Sequence, residues 1–439
     1  MNADNVRAAS LRALVRAARD GKYINLELDT ALSRLSLTPA DRALFTALVY
    51  GTCERTLTLD IEIEYLTGRD TSKLDIETLT ALRLGLYQIL FMDKIPPHAA
   101  VNETVAVSPA RSRGLVNACL RRSIREGARL HLPDADPRSA SYLSAAHSVP
   151  IPIVESWLSD YGELAPELCG SANRRPPVTL RVNTLRTDAA ELLEQLTKSG
   201  VPAKINPVCP DMIDVAPGTA VTELYGYADG LWFVQDAASR IAVAAAGVFP
   251  GNTLIDVCSA PGGKSFSAAI DMKNEGEIHA FDLHKNKLSL ILSGAERLGI
   301  TILSADARDG RIPDGDLFAR ADTVLCDVPC SGLGVIAKKP DIRYKNMDDI
   351  LRLPEIQRQI LSASASYVRP GGTLLYSTCT LRRAENDEVA EDFLSAHSDF
   401  EPAPFTVFGI DAPAGTLTLT TPQHGTDGFY IAKFKKKQA

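Results

Sequence analysis

The sequence predicts a multidomain chain: an all-α bundle first, then a small α+β subdomain, then a carboxy-terminal α/β sheet of the Rossmann-like, mostly parallel kind. Three observations predict it. Apolar residues recur at helical spacing from residue 5 to about 130, short alternating runs follow from "PPVTLRVNTL" to "GLWFVQDAASR", and beyond Gly251 apolar strands alternate with Gly-rich turns and helices. At 439 residues the chain is also too long for one ordinary core, which independently favours several domains.

The elements justify themselves in order. "NVRAASLRALVRAARD" sets Val6, Leu11, Leu14, Val15 and Ala18 on one stripe, and "TPADRALFTALVYGTCERTL" repeats the pattern with Pro and Asp in its first turn, as a helix start requires. These place the helical domain at 1–135. "LHLPDADPRSASYLSAAHSVPIP" concentrates Pro, Ser and Asp and is read as a linker with one transitional helix, 136–165. "VTLRVN", "AKINP" and "MIDVA" are three short strands around one helix near 188–199, giving a small α+β subdomain at 166–240. "TLIDVCSAPGGKSFSAAI", "GEIHAFDLHKNKLSLILSGAERLG", "ADTVLCDVPC" and "GGTLLYSTCTL" carry the strand, turn, helix rhythm of a doubly wound sheet over 241–439. "GFYIAKFKKK" closes it as a last strand with a basic tail. No internal repeat is present.

Composition excludes several classes. Hydrophobic residues at 45% and charged residues at 23% are those of a folded globular protein, not of a disordered or fibrous one. No stretch approaches twenty uninterrupted apolar residues, and "MNADNVRAASLRALVRAARDG" lacks a signal-peptide core, so the expectation is a cytoplasmic protein with no membrane partner. The eight cysteines have no repeated spacing and the seven histidines form no cluster, so neither a disulfide framework nor a metal site is expected. Net charge is -7, yet residues 1–130 hold 18 Lys+Arg against 15 Asp+Glu. That is too weak a positive field for non-specific polyanion binding, so nucleic-acid contact must come from local patches.

"DVCSAPGGKS" (256–265) follows a buried strand and opens a helix, where a doubly wound sheet binds a nucleotide-like ligand. A P-loop needs Gly five positions before the Gly263-Lys264 pair, and Cys258 stands there; the dinucleotide Gly-x-Gly-x-x-Gly is absent too. What remains is a tight turn through Pro261-Gly262-Gly263 that lets backbone approach a ligand. Asp282, in "AFDLH" at the end of the next strand, is placed to accept hydrogen bonds from ribose hydroxyls. An adenosine without phosphates suits the pair, which points to S-adenosylmethionine; an ordinary βα turn beside a surface aspartate would look the same in isolation.

Two cysteines alter that balance. Cytosine C5 is a weak nucleophile until a thiolate adds at C6 and converts the ring to an enamine; afterwards the C5 proton must leave and the sulfur be expelled. "CDVPCSG" supplies Asp327 and Cys330, and "LLYSTCTL" supplies Cys379, both at the carboxyl ends of strands. A cation such as Lys264, or the sulfonium itself, would lower a thiol's pKa there. A lone cysteine at a strand end is more often a small buried hydrophobe; two of them in the domain that holds the glycine turn favour chemistry. Cys326, inside its strand, is expected in the core.

"DVCSAPGGKS", "FDLHKNKL", "DVPCSGLGVIAKKPDIRY", "YSTCTL" and "DGFYIAKF" together resemble the Sun family of RNA cytosine-5 methyltransferases, most closely the RsmB type that modifies 16S ribosomal RNA. "VTLRVNT" and "FVQDAASR" extend the resemblance, and the helical front looks like the NusB-like RNA-binding domain of that type. Ala is common in the family where Val328 stands. The resemblance implies that Cys379 attacks C6 and that Cys330 assists release of the methylated base, whereas DNA cytosine-5 methyltransferases take their nucleophile from Pro-Cys. It implies that the loop Cys258, Ser259, Ala260, Pro261, Gly262, Gly263 and Lys264 holds the methionine part of S-adenosylmethionine, Asp282 the ribose and Asp306 the adenine, with Asp327 between cofactor and target ring. Asp309 competes with Asp306 in "SADARDG". The partner is then small-subunit rRNA presenting a single-stranded or flipped cytosine to a monomer. Candidate RNA contacts are Arg181, Asn183, Lys338, Lys339 and Arg343. Competing readings are a non-catalytic rRNA-binding assembly factor of the same fold, the same chemistry on tRNA, and a small-molecule or protein methyltransferase.

Overall fold

The computed structural model describes residues 5–21, 24–217 and 219–438. They fall into two units: one runs to Arg174 and also takes the segment Ile336–Tyr344, and the other comprises Arg175–Val335 and Lys345 onward.

The first unit is helical: α1 Val6–Asp20, α2 Ile24–Arg34, α3 Pro39–Glu54, α4 Thr56–Thr67, α5 Ile76–Phe91, α6 Pro97–Val107, α7 Arg113–Arg125, α8 Ala140–His147, α9 Ile151–Tyr161 and α10 Ala165–Ser171. Polar side chains start several of these helices. Asn5 accepts from the Arg7 and Ala8 amides, Thr38 from Asp41, and Asp75 from Thr78, each satisfying an amide that has no partner inside its helix. The apolar stripes meet in one core around Leu14, Phe45, Leu48, Leu59, Ile63, Leu82 and Leu120. Ala18, expected on the α1 stripe, is exposed in the helix's last turn. The stretch 136–165, expected to be a linker with one helix, carries two, α8 and α9, and α10 begins at its last residue. Thr58 Oγ1 in α4 donates to Ala145 O at 2.6 Å, and the Leu57 amide to Ser148 Oγ at 3.0 Å.

The second unit holds two main sheets. In the smaller, β1 Val178–Val182, β2 Ala203–Ile205, β3 Met212–Val215 and β4 Trp232–Val234 lie antiparallel in the order β2-β3-β1-β4, with the helix Ala189–Lys198 closing a core of Leu180, Leu192, Leu196, Ile213 and Trp232. The larger sheet contains β5 Thr253–Asp256, β6 Glu277–Asp282, β7 Leu303–Ala307, β8 Ala321–Asp327, β9 Val368–Thr378, β10 Phe400–Pro402, β13 Thr416–Leu419 and β14 Phe429–Lys436; β11 Phe405–Val407 and β12 Ile410–Ala412 form a separate ribbon. Its order is β10-β14-β9-β8-β5-β6-β7, with β13 also on β14. From β9 to β7 all neighbours are parallel, and β14 joins β9 antiparallel.

Period two explains why both faces are covered. Leu254, Leu325 and Leu375 face one core with the helices Ala237–Ala246, Gly263–Asp271 and Leu288–Leu298. Ile255, Val324, Cys326, Leu374 and Tyr376 face another, with Leu353–Ala365 and Asp387–Ala396. Cys326 is fully buried. The chain winds from β5 outward through β6 to β7, then resumes on the other side of β5 with β8 and β9. That reversal opens a crevice at the carboxyl ends of β5 and β8, the place where such sheets bind ligands.

Candidate functional site

The loop after β5 is shaped by its own backbone. The Ser259 amide donates to Phe281 O and the Gly262 amide to Ser259 O, both at 2.7 Å. Gly262 has φ 108°, and the Phe266 ring occupies the space that a side chain there would need; only glycine adopts this turn without strain. Beneath it a buried polar column runs from Ser259 Oγ to Ser265 Oγ, 2.8 Å, and on to Asp256 Oδ2, 2.7 Å. Burial pushes the Asp256 carboxyl up to about 6, although the Ser265 hydroxyl acts in the opposite sense.

Two carboxylates stand at the neighbouring strand ends. Asp282, the last residue of β6, is mostly buried, accepts from the His284 amide at 2.9 Å and has Lys287 Nζ at 3.9 Å. Asp306, exposed on β7, is in register with Phe281, one position before Asp282. Asp309 is occupied differently: Arg311 grips both its oxygens, at 2.9 and 2.6 Å, and holds the carboxyl down at about 2. The cradle therefore fits an adenosyl group, with a side-chain-free turn for close backbone approach and carboxylate acceptors at successive strand ends.

On the other side of the crevice the chain brings two thiols together. Cys330 Sγ, after β8, lies 3.2 Å from Cys379 Sγ, after β9. Close backbone approach makes this possible: the Gly334 amide donates to Cys379 O at 3.0 Å, and a side chain at Gly334 would run into Gly428. Asp327, the last residue of β8, accepts from Lys264 Nζ on Oδ2 and from Ser377 Oγ on Oδ1, both at 2.7 Å. Burial works to lower the Lys264 ammonium, but the Asp327 carboxylate outweighs it and the net shift is upward, so the ammonium stays charged. Its Nζ also lies 5.2 Å from the Phe429 ring centre. The adjacent Cys379, together with burial, holds the Cys330 thiol well above its usual range. The two sulfurs stand within hydrogen-bond distance, and either can be the donor.

Three of the five expected RNA contacts are corrected. Arg181 is 1% exposed, and its guanidinium is consumed by ion pairs to Asp211 and Asp271 at 3.0 and 3.2 Å, carboxylates that Arg240 shares. Asn183 is buried, donating to Gly230 O and Leu298 O at 2.8 and 2.9 Å. Arg343, 2% exposed, lies inside the helical unit, where it donates to Glu54 O, Ser148 O, Ala172 O and Asn173 Oδ1 at 2.8 to 3.2 Å. Arg181, Asn183 and Arg343 are all buried inside the fold, out of reach of a phosphate or a base. Lys339 is exposed and Lys338 half-buried.

Sequence reasoning missed Ser377 and the buried trio Gln357, Glu385 and Asn386 around the thiol loops. Glu385 and Asn386 carry no local signal, because "RRAENDEVAEDF" reads as the acidic, solvated start of a helix.

Comparison with known proteins agrees with this arrangement. A family model described as 16S rRNA methyltransferase RsmB/F matches residues 247–435, a NusB family model matches 4–125, and a ferredoxin-like domain of RsmF/B-like methyltransferases matches 150–222. The chain is 37% identical to a probable ribosomal RNA small subunit methyltransferase B of Bacillus subtilis (strain 168), with 100% of each chain covered. It is 36% identical to the protein of the same name in Synechocystis sp., covering 95% of this chain and 96% of that one. The solved structure of PH0851 superposes with TM-score 0.81 at 26% identity, covering 98% of this chain and 99% of the other. A matched catalytic sheet, both accessory domains and full-length relatives above the 30% level leave one conclusion: the chain belongs to the RsmB/F family of 16S rRNA methyltransferases.

Proposed function

We propose that this enzyme methylates carbon 5 of a cytosine in 16S rRNA, with Cys379 as the nucleophile that adds to carbon 6 and Cys330 as the group that assists release. The observation that carries the reading is the 3.2 Å approach of two thiols beside the Lys264–Asp327 pair. Methylation of an amine or hydroxyl has no use for a sulfur nucleophile, whereas C5 of a pyrimidine does not attack carbon until C6 carries one.

Each residue then has a task. Residues Cys258 to Lys264 take the methionine portion of S-adenosylmethionine, Asp282 the ribose hydroxyls and Asp306 the adenine amine; when bound, the cofactor supplies an electrophilic methyl carbon. Asp327 presents a hydrogen-bond acceptor to the target ring. Cytosine offers an exocyclic amine donor there and uracil an oxygen, so the carboxylate supports cytosine over uracil. Cys379 adds to C6 as the thiolate; once C5 is methylated, Cys330 as thiolate takes the C5 proton, that C–H electron pair restores the C5=C6 double bond, and the S–C6 bond breaks to return the Cys379 thiolate. The target base must stand outside any helical stack to admit sulfur at C6. Of the RNA contacts, Lys338 and Lys339 remain for the phosphates.

The test uses unmodified 16S rRNA and methyl-labelled cofactor. Digestion is expected to place the label in 5-methylcytosine, and label in any other nucleoside overturns the reading. Cys330→Ala is expected to accumulate a denaturation-resistant protein–RNA adduct and Cys379→Ala to form none; the reverse pattern would exchange the two roles.

A further inference from the structure

Two consecutive buried residues, Glu385 and Asn386, help to hold the chain beside the two thiols. Glu385, fully buried, accepts on Oε2 from the Ser331 amide at 2.8 Å and from Gln357 Nε2 at 3.0 Å. Gln357 Nε2 donates as well to Pro329 O at 3.0 Å, so the backbone before and after Cys330 is fixed by one carboxylate–amide pair. The other carboxylate oxygen takes Arg382 Nη1 at 3.1 Å. Asn386, 1% exposed, brackets Cys379 through one side chain and one carbonyl: its Oδ1 accepts from the Thr378 side-chain hydroxyl Oγ1 at 2.6 Å, and its Nδ2 donates to Thr380 O at 3.0 Å. The two brackets are tied together where Ser331 Oγ meets Thr380 Oγ1 at 2.7 Å, and Tyr376 Oη anchors the dipeptide by donating to Glu385 O at 2.6 Å.

A buried carboxylate is an expensive way to fill a core, since apolar side chains pack the same space without desolvating a charge. Its donors explain it here: besides one arginine, they are the amide after Cys330 and the glutamine that holds the carbonyl before it. We infer that Glu385 and Asn386 are positioning residues for the methyl-transfer reaction, Glu385 fixing Cys330 for the release step and Asn386 fixing Cys379 for the addition step. The inference rests on the thiol roles proposed above. Each bracket acts on a different step, so loosening one slows that step alone. A displacement of about 1 Å at a reacting group lowers its rate on the order of 100-fold.

The experiment compares Glu385→Gln, Asn386→Ala, Cys330→Ala and Cys379→Ala in the full chain. It measures cofactor affinity, single-turnover rate and the fraction of RNA trapped as a denaturation-resistant adduct. Glu385→Gln replaces an acceptor oxygen by a donor amide amid three N–H groups; it is expected to keep cofactor affinity and raise the trapped fraction roughly 10-fold over the parent. Asn386→Ala is expected to keep cofactor affinity and slow adduct formation roughly 10- to 100-fold with no accumulation. Gln357→Met, which removes only the amide, reproduces the adduct gain in smaller measure and carries the test where Glu385→Gln does not fold. A general loosening of the fold would move addition, release and cofactor binding together, and that result overturns the inference. So does a Cys330→Ala adduct accompanied by parent-like partitioning in Glu385→Gln and Gln357→Met. Absence of any adduct in Cys330→Ala instead overturns the thiol roles, and the bracket with them.

Discussion

Asp256 shows how a single carboxyl beneath the glycine turn ties stability to acidity. Its native pKa of about 6 lies above the ordinary 3.8 because burial penalises the charged form. A group raised in the native state contributes fully below its unfolded pKa and loses that contribution as pH rises through the native value. The loss therefore falls between about pH 4 and pH 6, and the shift corresponds to as much as about 3 kcal/mol. Asp256→Asn, which cannot ionise, is expected to flatten the fall in melting temperature across that window, and calorimetry at pH 4, 5, 6 and 7 checks it. At this scale the sequence displayed the thiols, the glycine turn and the strand-end aspartates, because chemistry at the end of an apolar run stands out locally. It hid Glu385, Asn386 and Gln357, whose importance depends on which distant groups they meet, and it misled on Arg181, since a cation in a strand pattern does not announce the distant Asp211 and Asp271 that neutralise it.

At the scale of elements, legibility follows burial and turn chemistry. β5, β6, β8 and β9 are buried on both faces, so they appear as apolar runs ended by turn residues, and their alternation with helices gives the winding of the sheet directly. α9 and α10 were hidden behind prolines that look like breakers. Pro152 and Pro166 occupy the first turns of those helices, where the missing N–H would have had no intrahelical partner. Proline there starts a helix. The turn between β5 and its following helix makes the sharpest prediction at this level. Gly262→Ala sets a side chain at φ 108° against the Phe266 ring. It is expected to cost about 1–3 kcal/mol of stability and to weaken binding of S-adenosylhomocysteine at least ~10-fold, read by thermal melting and titration calorimetry.

At the level of the whole molecule, the helical unit is assembled from two separated pieces of chain, residues up to Arg174 and the segment Ile336–Tyr344. Arg343 fastens the second piece through four hydrogen bonds to neutral acceptors. Arg343→Met leaves those acceptors unsatisfied and is expected to destabilise the helical unit by roughly 2–5 kcal/mol, seen as an earlier unfolding transition, with Arg343→Lys recovering only part. Nothing in "KKPDIRY" foretells this, because membership of a distant unit is a property of the tertiary path. The threading also bears on biosynthesis. Domains ordinarily complete themselves in the order in which they leave the ribosome. Here the leading helices lack a structural part until translation has passed Tyr344, by which time β5 to β8 have already been made. Nascent chains halted shortly before that codon should therefore be protease-sensitive in their earliest-made portion, and those halted well after it protected.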